Sequence, residues 1–235
     1  IVFIFFFDRR RSFHYDRAGL VWDLQSAKRL FGECVSLFVG SFMISYVLNA
    51  SKYAIEAYSS KAVQTYFGFL LMPAFVINLF SLFVFRPLMT PMAVAWNERD
   101  MKKFYKIIKN SCAWVAFLTV GAVIGAYLLG IWILNLISGI DLSAYRMELC
   151  YVMVGGGVNA LITIFYYVLA VLREQKQILL SYGTGFAAAL ILTPYLVQKM
   201  EITGAVIGYV LPMLIVVIVM LALALRSIKR KLAMD

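Results

Sequence analysis

The sequence predicts an all-α integral membrane protein built as a bundle of six transmembrane helices, and three observations carry that reading. Of the 235 residues, 63% are hydrophobic and only 14% are charged, against roughly 25% charged in ordinary soluble domains. A soluble fold of this size could not hide so much apolar surface behind a polar exterior. Second, long apolar runs lie near residues 31–50, 66–90, 110–137, 149–172, 178–197 and 204–225. Each holds about 20 residues or more, enough to span a bilayer, some with tilt. They show no alternation of period two, and only helices or closed barrels satisfy the backbone in hydrocarbon, so helices are expected. Third, the basic residues segregate. Placing the connections alternately on two sides gives one side seventeen Lys and Arg and the other four (Lys52, Lys61, Arg146 and Lys199), with Arg86 left inside a run. The rich side holds Arg9, Arg10, Arg11, Arg17, Lys28, Arg29, the 99–109 and 173–176 connections and the tail from Arg226. The positive-inside rule makes that side, and the C-terminus, cytoplasmic.

Taken in order, residues 1–7 are wholly apolar and are followed by Asp8 and three arginines. Seven residues cannot span, and a signal peptide carries its basic residues before the apolar run. The stub reads as the end of a truncated transmembrane helix, and the chain as the C-terminal part of a longer protein. Residues 8–30 are basic. Leu20, Val21, Leu24, Ala27 and Phe31 recur at near-helical spacing after Asp16, a fitting N-cap. This stretch reads either as an amphipathic helix on the cytoplasmic face joining two halves, or as a solvated linker. Residues 31–235 form the six-span lobe with its cytoplasmic tail.

All five prolines, Pro73, Pro87, Pro91, Pro194 and Pro212, fall in or at the edge of apolar runs. The second span carries Met72-Pro73-Ala74 and Arg86-Pro87, and the fourth carries Gly155-Gly156-Gly157 before Asn159. Two readings stand for these features. Interrupted helices bend or line cavities in transporters, whereas small residues also serve plain helix packing. Gly121/Gly125 and Gly204/Gly208 are GxxxG pairs, taken as close-packing positions. Arg86 has two possible depths. If its span ends near residue 90, it snorkels to the cytoplasmic interface; if the span runs to Trp96, it sits deeper and must face a cavity or a partner.

The composition excludes several functions. A net charge of +10 would suggest nucleic acid in a soluble protein, but here it lies between spans, so no nucleic-acid partner is expected. His14 is the only histidine and Cys34, Cys112 and Cys150 are scattered over three runs, so neither a His-based catalytic centre nor a metal or disulfide site is expected. The outer connections, about 15, 11 and 6 residues long, offer few carboxylates and no room for an acid/base pair with its supports. No phosphate-binding glycine loop occurs. We therefore expect no enzyme and no cofactor. Carboxylates are nearly absent from the span interiors: Glu33 and Glu56 stand at the two edges of the first, and none lies deeper. A cavity with Arg, Lys, Tyr and amides but no carboxylate suits an anionic, phosphate-bearing cargo.

The segment Asn49-Ala50-Ser51-Lys52-Tyr53-Ala54-Ile55-Glu56 resembles the Asn-Ala-Pro-Lys-Tyr-Ala-Ile-Asp segment of Wzx-type polysaccharide flippases. Tyr66-Phe67-Gly68, Met72-Pro73-Ala74-Phe75-Val76-Ile77-Asn78-Leu79, Phe83-Val84-Phe85-Arg86-Pro87-Leu88 and Trp96-Asn97-Glu98 are similar to the next segments of those proteins. Ser51 stands where the family often has Pro, which puts a rigid turn there in doubt, and Glu56 where it often has Asp. The family belongs to the multidrug/oligosaccharidyl-lipid/polysaccharide (MOP) exporter superfamily. The resemblance implies one lobe of a two-lobe, MATE-like transporter in the bacterial cytoplasmic membrane. It implies movement of undecaprenyl-diphosphate-linked sugar repeat units to the outer leaflet for surface polysaccharide such as O-antigen. Alternating access would be driven by an ion gradient, with H+ or Na+ as the coupling ion, and membrane lipids and other polysaccharide-assembly proteins would be its partners. By matching position, Lys52, Tyr53 and Arg86 would meet the substrate, with Asn49 and Asn78 as further polar liners. Two other functions fit the same layout: export of drugs or amphiphiles, and a non-transporting scaffold for glycan assembly.

Overall fold

The computed structural model describes residues 24–234, and every described element is a helix or a turn. The readings of the 1–7 stub and of residues 8–23 lie outside the described residues. The chain divides into two units, Ile1–Leu37 and Phe38–Asp235, where the sequence placed the boundary at residue 31. Of the first unit, residues 24–37 are described, as the leading part of helix α1, Leu24–Tyr58.

The second unit continues α1 and adds α2 (Lys61–Phe85), a 3-10 turn (Arg86–Leu88), α3 (Met89–Asn97), α4 (Met101–Gly125) and a π turn (Ala126–Gly130). Then come α5 (Ile131–Ser138), a second 3-10 turn (Ser143–Tyr145), α6 (Arg146–Val171) and α7 (Gln175–Met234). Among the described residues, four helical stretches are long and apolar enough to cross a membrane: Lys61–Asn97, Met101–Ser138, Ser143–Val171 and Gln175–Leu232. The protein is thus all-helical and membrane-like.

The last stretch is bent back on itself. Glu201, with φ 46° and ψ −114°, turns α7 into two antiparallel arms, residues 175–200 and 202–234. Thr193 Oγ1 donates to the Gly208 carbonyl at 3.1 Å, and Ser227 Oγ donates to Gln177 Oε1 at 2.7 Å. A Cβ on Gly204 would lie 2.0 Å from the Leu196 carbonyl oxygen, and one on Gly185 would lie 2.1 Å from a Val216 methyl. The sequence-predicted spans 178–197 and 204–225 are these two arms, and the expected 198–203 connection shrinks to one non-helical residue.

Other connections shrink for the same physical reason. Apolar runs mark only the segment matched to hydrocarbon, while helical hydrogen bonding continues into the interface. The expected loop 51–65 is helical to Tyr58 and again from Lys61, and most of 91–109 lies in α3 and α4. Ser51 is helical, settling the doubt about a rigid turn there. Pro73, Pro194 and Pro212 sit inside continuous helices. Pro87, unable to donate, falls in the 3-10 turn where the α2–α3 rod changes winding.

Helix α6 is the axis of the second unit. Its membrane-length window is 72% buried, against 19% for Lys61–Asn97 and 17% for Met101–Ser138. Its three consecutive glycines point about 100° apart and meet three neighbours. A Cβ on Gly155 would lie 2.6 Å from the Tyr209 ring, one on Gly156 3.7 Å from Ala74 and Ile77, and one on Gly157 2.1 Å from Thr119 Oγ1. The helix runs unbroken through them. Of the two readings, these glycines serve packing, and they do not interrupt the helix. The GxxxG pairs divide. Gly204 and Gly208 are close-packed, whereas Gly121 and Gly125 meet nothing within 4 Å, correcting the expectation for that pair. The expected third span instead carries a π turn one residue after Gly125.

Side-chain contacts fix which segments share an end. At one end Arg230 and Lys231 pair with Glu174, and Trp96, Asn97, Arg99, Met101 and Leu232 line one cleft. At the other, Thr203 Oγ1 donates to Glu148 at 2.8 Å, Ser51 Oγ donates to the Ala205 carbonyl at 2.7 Å, and the Tyr66 and Tyr145 rings lie 5.9 Å apart. The first end of this unit gathers the lysines and arginines of 99–109, 173–176 and 226–231, and the second has Lys52, Lys61, Arg146 and Lys199.

The glycines give a direct check. Gly204→Val should destabilise the protein by about 2 kcal/mol or more, since backbone cannot yield to a new side chain. Gly121→Ala should be neutral or stabilising by up to about 1 kcal/mol through helix propensity. Thermal unfolding in detergent measures both, and equal effects would contradict the packing described.

Candidate functional site

The sequence singled out Asn49, Lys52, Tyr53, Asn78 and Arg86, and the fold distributes them over three levels. Helix α1 has two faces within the second unit. Val47, Ala50, Ser51, Ala54 and Ile55 are buried, and Ser51 anchors this face to α7 through Ala205. Ser41, Ser45, Lys52, Tyr53 and Glu56 are exposed, with Asn49 half-buried among them. The spacing of Ser41, Ser45, Asn49, Lys52 and Glu56 makes one polar stripe along the helix.

Within that stripe Asn49 Nδ2 donates to the Ser45 carbonyl at 2.9 Å, so its carboxamide is held along its own helix. The Tyr53 ring packs 5.6 Å from Tyr46, which in turn meets Phe186 edge-on at 4.9 Å. Lys52 makes no ion pair among the described residues. This aromatic row was not foreseen, because Phe186 comes from the first arm of α7, far away in sequence.

Asn78 lies mid-helix in α2 and accepts a 2.8 Å hydrogen bond from Asn159 Nδ2 of α6. Tyr209 of the second α7 arm also interacts with Asn78. The pair is an interhelical clasp beside the glycine triplet.

Arg86 opens the 3-10 turn and is exposed. Its neighbour Phe85 shares a buried cluster with Val115, Ala160, Ile164 and Tyr167, and the Arg86 charge acts on Tyr167. The rod runs on to Asn97, and by the α6 residues that cluster with Phe85, Ala160 to Tyr167, Arg86 lies roughly 6 to 16 Å from the level of Val171, at 1.5 Å per residue. The rod is the long one that the second sequence reading supposed, and Arg86 lies level with the half of α6 nearer the basic end. Ser51, through Ala205, stands level with the opposite part of α6. Lys52 and Arg86 are therefore separated by roughly 15 to 25 Å along the bundle, from the same helical rise, and form no single cluster.

Chemistry at the far end is structural. Asn135 Nδ2 donates to Asp141 at 3.3 Å, and its Oδ1 accepts from the Leu142 N–H at 2.8 Å. Hydrogen bonds from Ser143, first from its hydroxyl and then from its N–H, hold the Asp141 carboxyl below the usual carboxylate range. Among the described residues no group of His, Cys, Asp and Glu could hold a metal ion. No family model, curated protein or solved structure matches the chain.

The clasp is testable by a double-mutant cycle. Asn78→Ala and Asn159→Ala should each cost about 1 kcal/mol, the range of interhelical hydrogen bonds in membranes. The double variant should cost little more than either single one. Full additivity in an unfolding titration would show that the two amides are uncoupled.

Proposed function

We infer that the chain forms one lobe of a flippase for a polyprenyl-diphosphate-linked oligosaccharide, working by alternating access in the bacterial cytoplasmic membrane. The observation that carries this reading is the exposed polar stripe of α1. Serines, an amide, a lysine and a glutamate on a helix surrounded by hydrocarbon would each be costly to desolvate. Such a face suits a wet cleft against a second lobe. Six crossings follow if α1 spans and the two arms of α7 each count once. The basic end is then cytoplasmic by the positive-inside rule, and the C-terminus with it.

The separation of Lys52 and Arg86 gives the two cations distinct tasks. Arg86, near the basic end, meets the diphosphate as it is loaded from the cytoplasmic leaflet. Lys52 and Tyr53 meet it at the opposite end before release. A charged headgroup crosses only if charge-assisted hydrogen bonds replace its water at each stage. The polyprenyl tail stays in lipid, no covalent step is needed, and a gradient of H+ or Na+ would drive the cycle.

Arg86→Ala and Lys52→Ala should each lower surface polysaccharide about tenfold or more, matching loss of a hydrogen bond to a charged group, with membrane insertion intact. Immunoblots of surface glycan, beside membrane levels of the protein, measure this in cells whose display depends on it. Normal display in the double variant would reject the assignment, and drug efflux with normal glycan would favour an exporter of amphiphiles.

A further inference from the structure

A groove at the opposite, less basic end belongs to none of this. It runs between α4 with its π turn and α6, and Val123, Ile124, Leu128, Met147, Cys150 and Val154 are among its walls, with Tyr127 and Tyr151 beside them. Its volume is about 420 Å³. The exposed lining is wholly apolar. The walls have a sequence-level cause: the π turn Ala126–Gly130 re-aims Tyr127 and Leu128, and Gly130 lets Leu149 approach to within 2.7 Å of where a Cβ would stand.

One cation stands at its mouth. Arg146, the first residue of α6, holds its guanidinium carbon 5.7 Å from the centre of the Tyr127 ring. No carboxylate pairs with it among the described residues; Glu148, two residues on, accepts a hydrogen bond from Thr203. Along α6 the lining runs from Met147 to Val154, about 10 Å at 1.5 Å per residue. That is about two-thirds of one leaflet of a hydrocarbon core roughly 30 Å thick. The shape is that of a slot entered from the headgroup level, apolar below and positive at the top.

We propose that this groove holds one acyl chain of an anionic phospholipid of the surrounding bilayer, with the lipid phosphate on the Arg146 guanidinium. An ordinary groove in lipid takes any acyl chain, and the cation at this mouth favours a headgroup whose phosphate is not offset by a cationic group such as choline. Arg146 is fit for it because a guanidinium offers a planar donor fork to phosphate while keeping its ring contact. The site is independent of the transport reading, since it needs neither Arg86 nor Lys52.

Native mass spectrometry tests it on the chain in detergent with equimolar phosphatidylglycerol and phosphatidylcholine. One phosphatidylglycerol should be retained, favoured about fivefold, as one basic residue near an anionic phosphate predicts. Arg146→Gln should bring the ratio close to one, and Arg146→Lys should keep part of the preference. Val154→Trp, or Met147→Trp at the mouth should the first not fold, should abolish retention of both lipids. Lys199→Gln is the control: Lys199 lies over the Tyr195 ring at the same end, 4.5 Å from its centre, but lines no part of this groove. Equal retention of the two lipids by the parent chain would overturn the proposal. So would an unchanged ratio in Arg146→Gln, an equal loss in Lys199→Gln, or a lipid-free dimer.

Discussion

The close approach of three neighbours to α6 is the constraint on which the second unit rests. Inside hydrocarbon, lipid tails are as apolar as leucine, so burial of apolar surface no longer drives helices together. What remains is contact between surfaces that fit, and interhelical hydrogen bonds. Gly155, Gly156 and Gly157 remove three side chains at one level, and Tyr209, α2 and Thr119 fill the space. The Asn78–Asn159 bond lies beside this level. The α7 hairpin repeats the device, Gly204 and Gly208 letting its arms touch.

That packing decides which surfaces are left for function. Because α6 and the inner faces of its neighbours are consumed, the outer face of α1 and the Arg86 turn are among the places that carry exposed polar groups. They lie at different heights along the bundle. One end is strongly basic and the other weakly so. The groove below Arg146 is a third surface, apolar where the α1 stripe is polar, and the two need not share a ligand.

Membrane class, helical content and the positions of most apolar segments were legible because hydrocarbon matching is written directly into composition. The Arg86 turn was legible too, since Arg86-Pro87 marks a break by its missing donor. Helix ends were not, because hydrogen bonding past the hydrocarbon edge leaves no apolar signature: Lys52 and Tyr53 lie on a helix where a loop was expected. GxxxG spacing was ambiguous. Gly121/Gly125 and Gly204/Gly208 look alike in sequence, and only the facing Leu196 backbone, 2.0 Å from where a Cβ of Gly204 would stand, tells the pairs apart.

By itself, then, the sequence determined a helical, membrane-type protein with basic residues on alternate connections, because transfer free energies act residue by residue. The tertiary structure decided that α6 is the axis, that Asn78 is spent on Asn159, that Lys52 and Arg86 stand apart, and that Arg146 caps a slot. Each of these depends on which helix faces which, and that choice is made by contacts between residues distant along the chain.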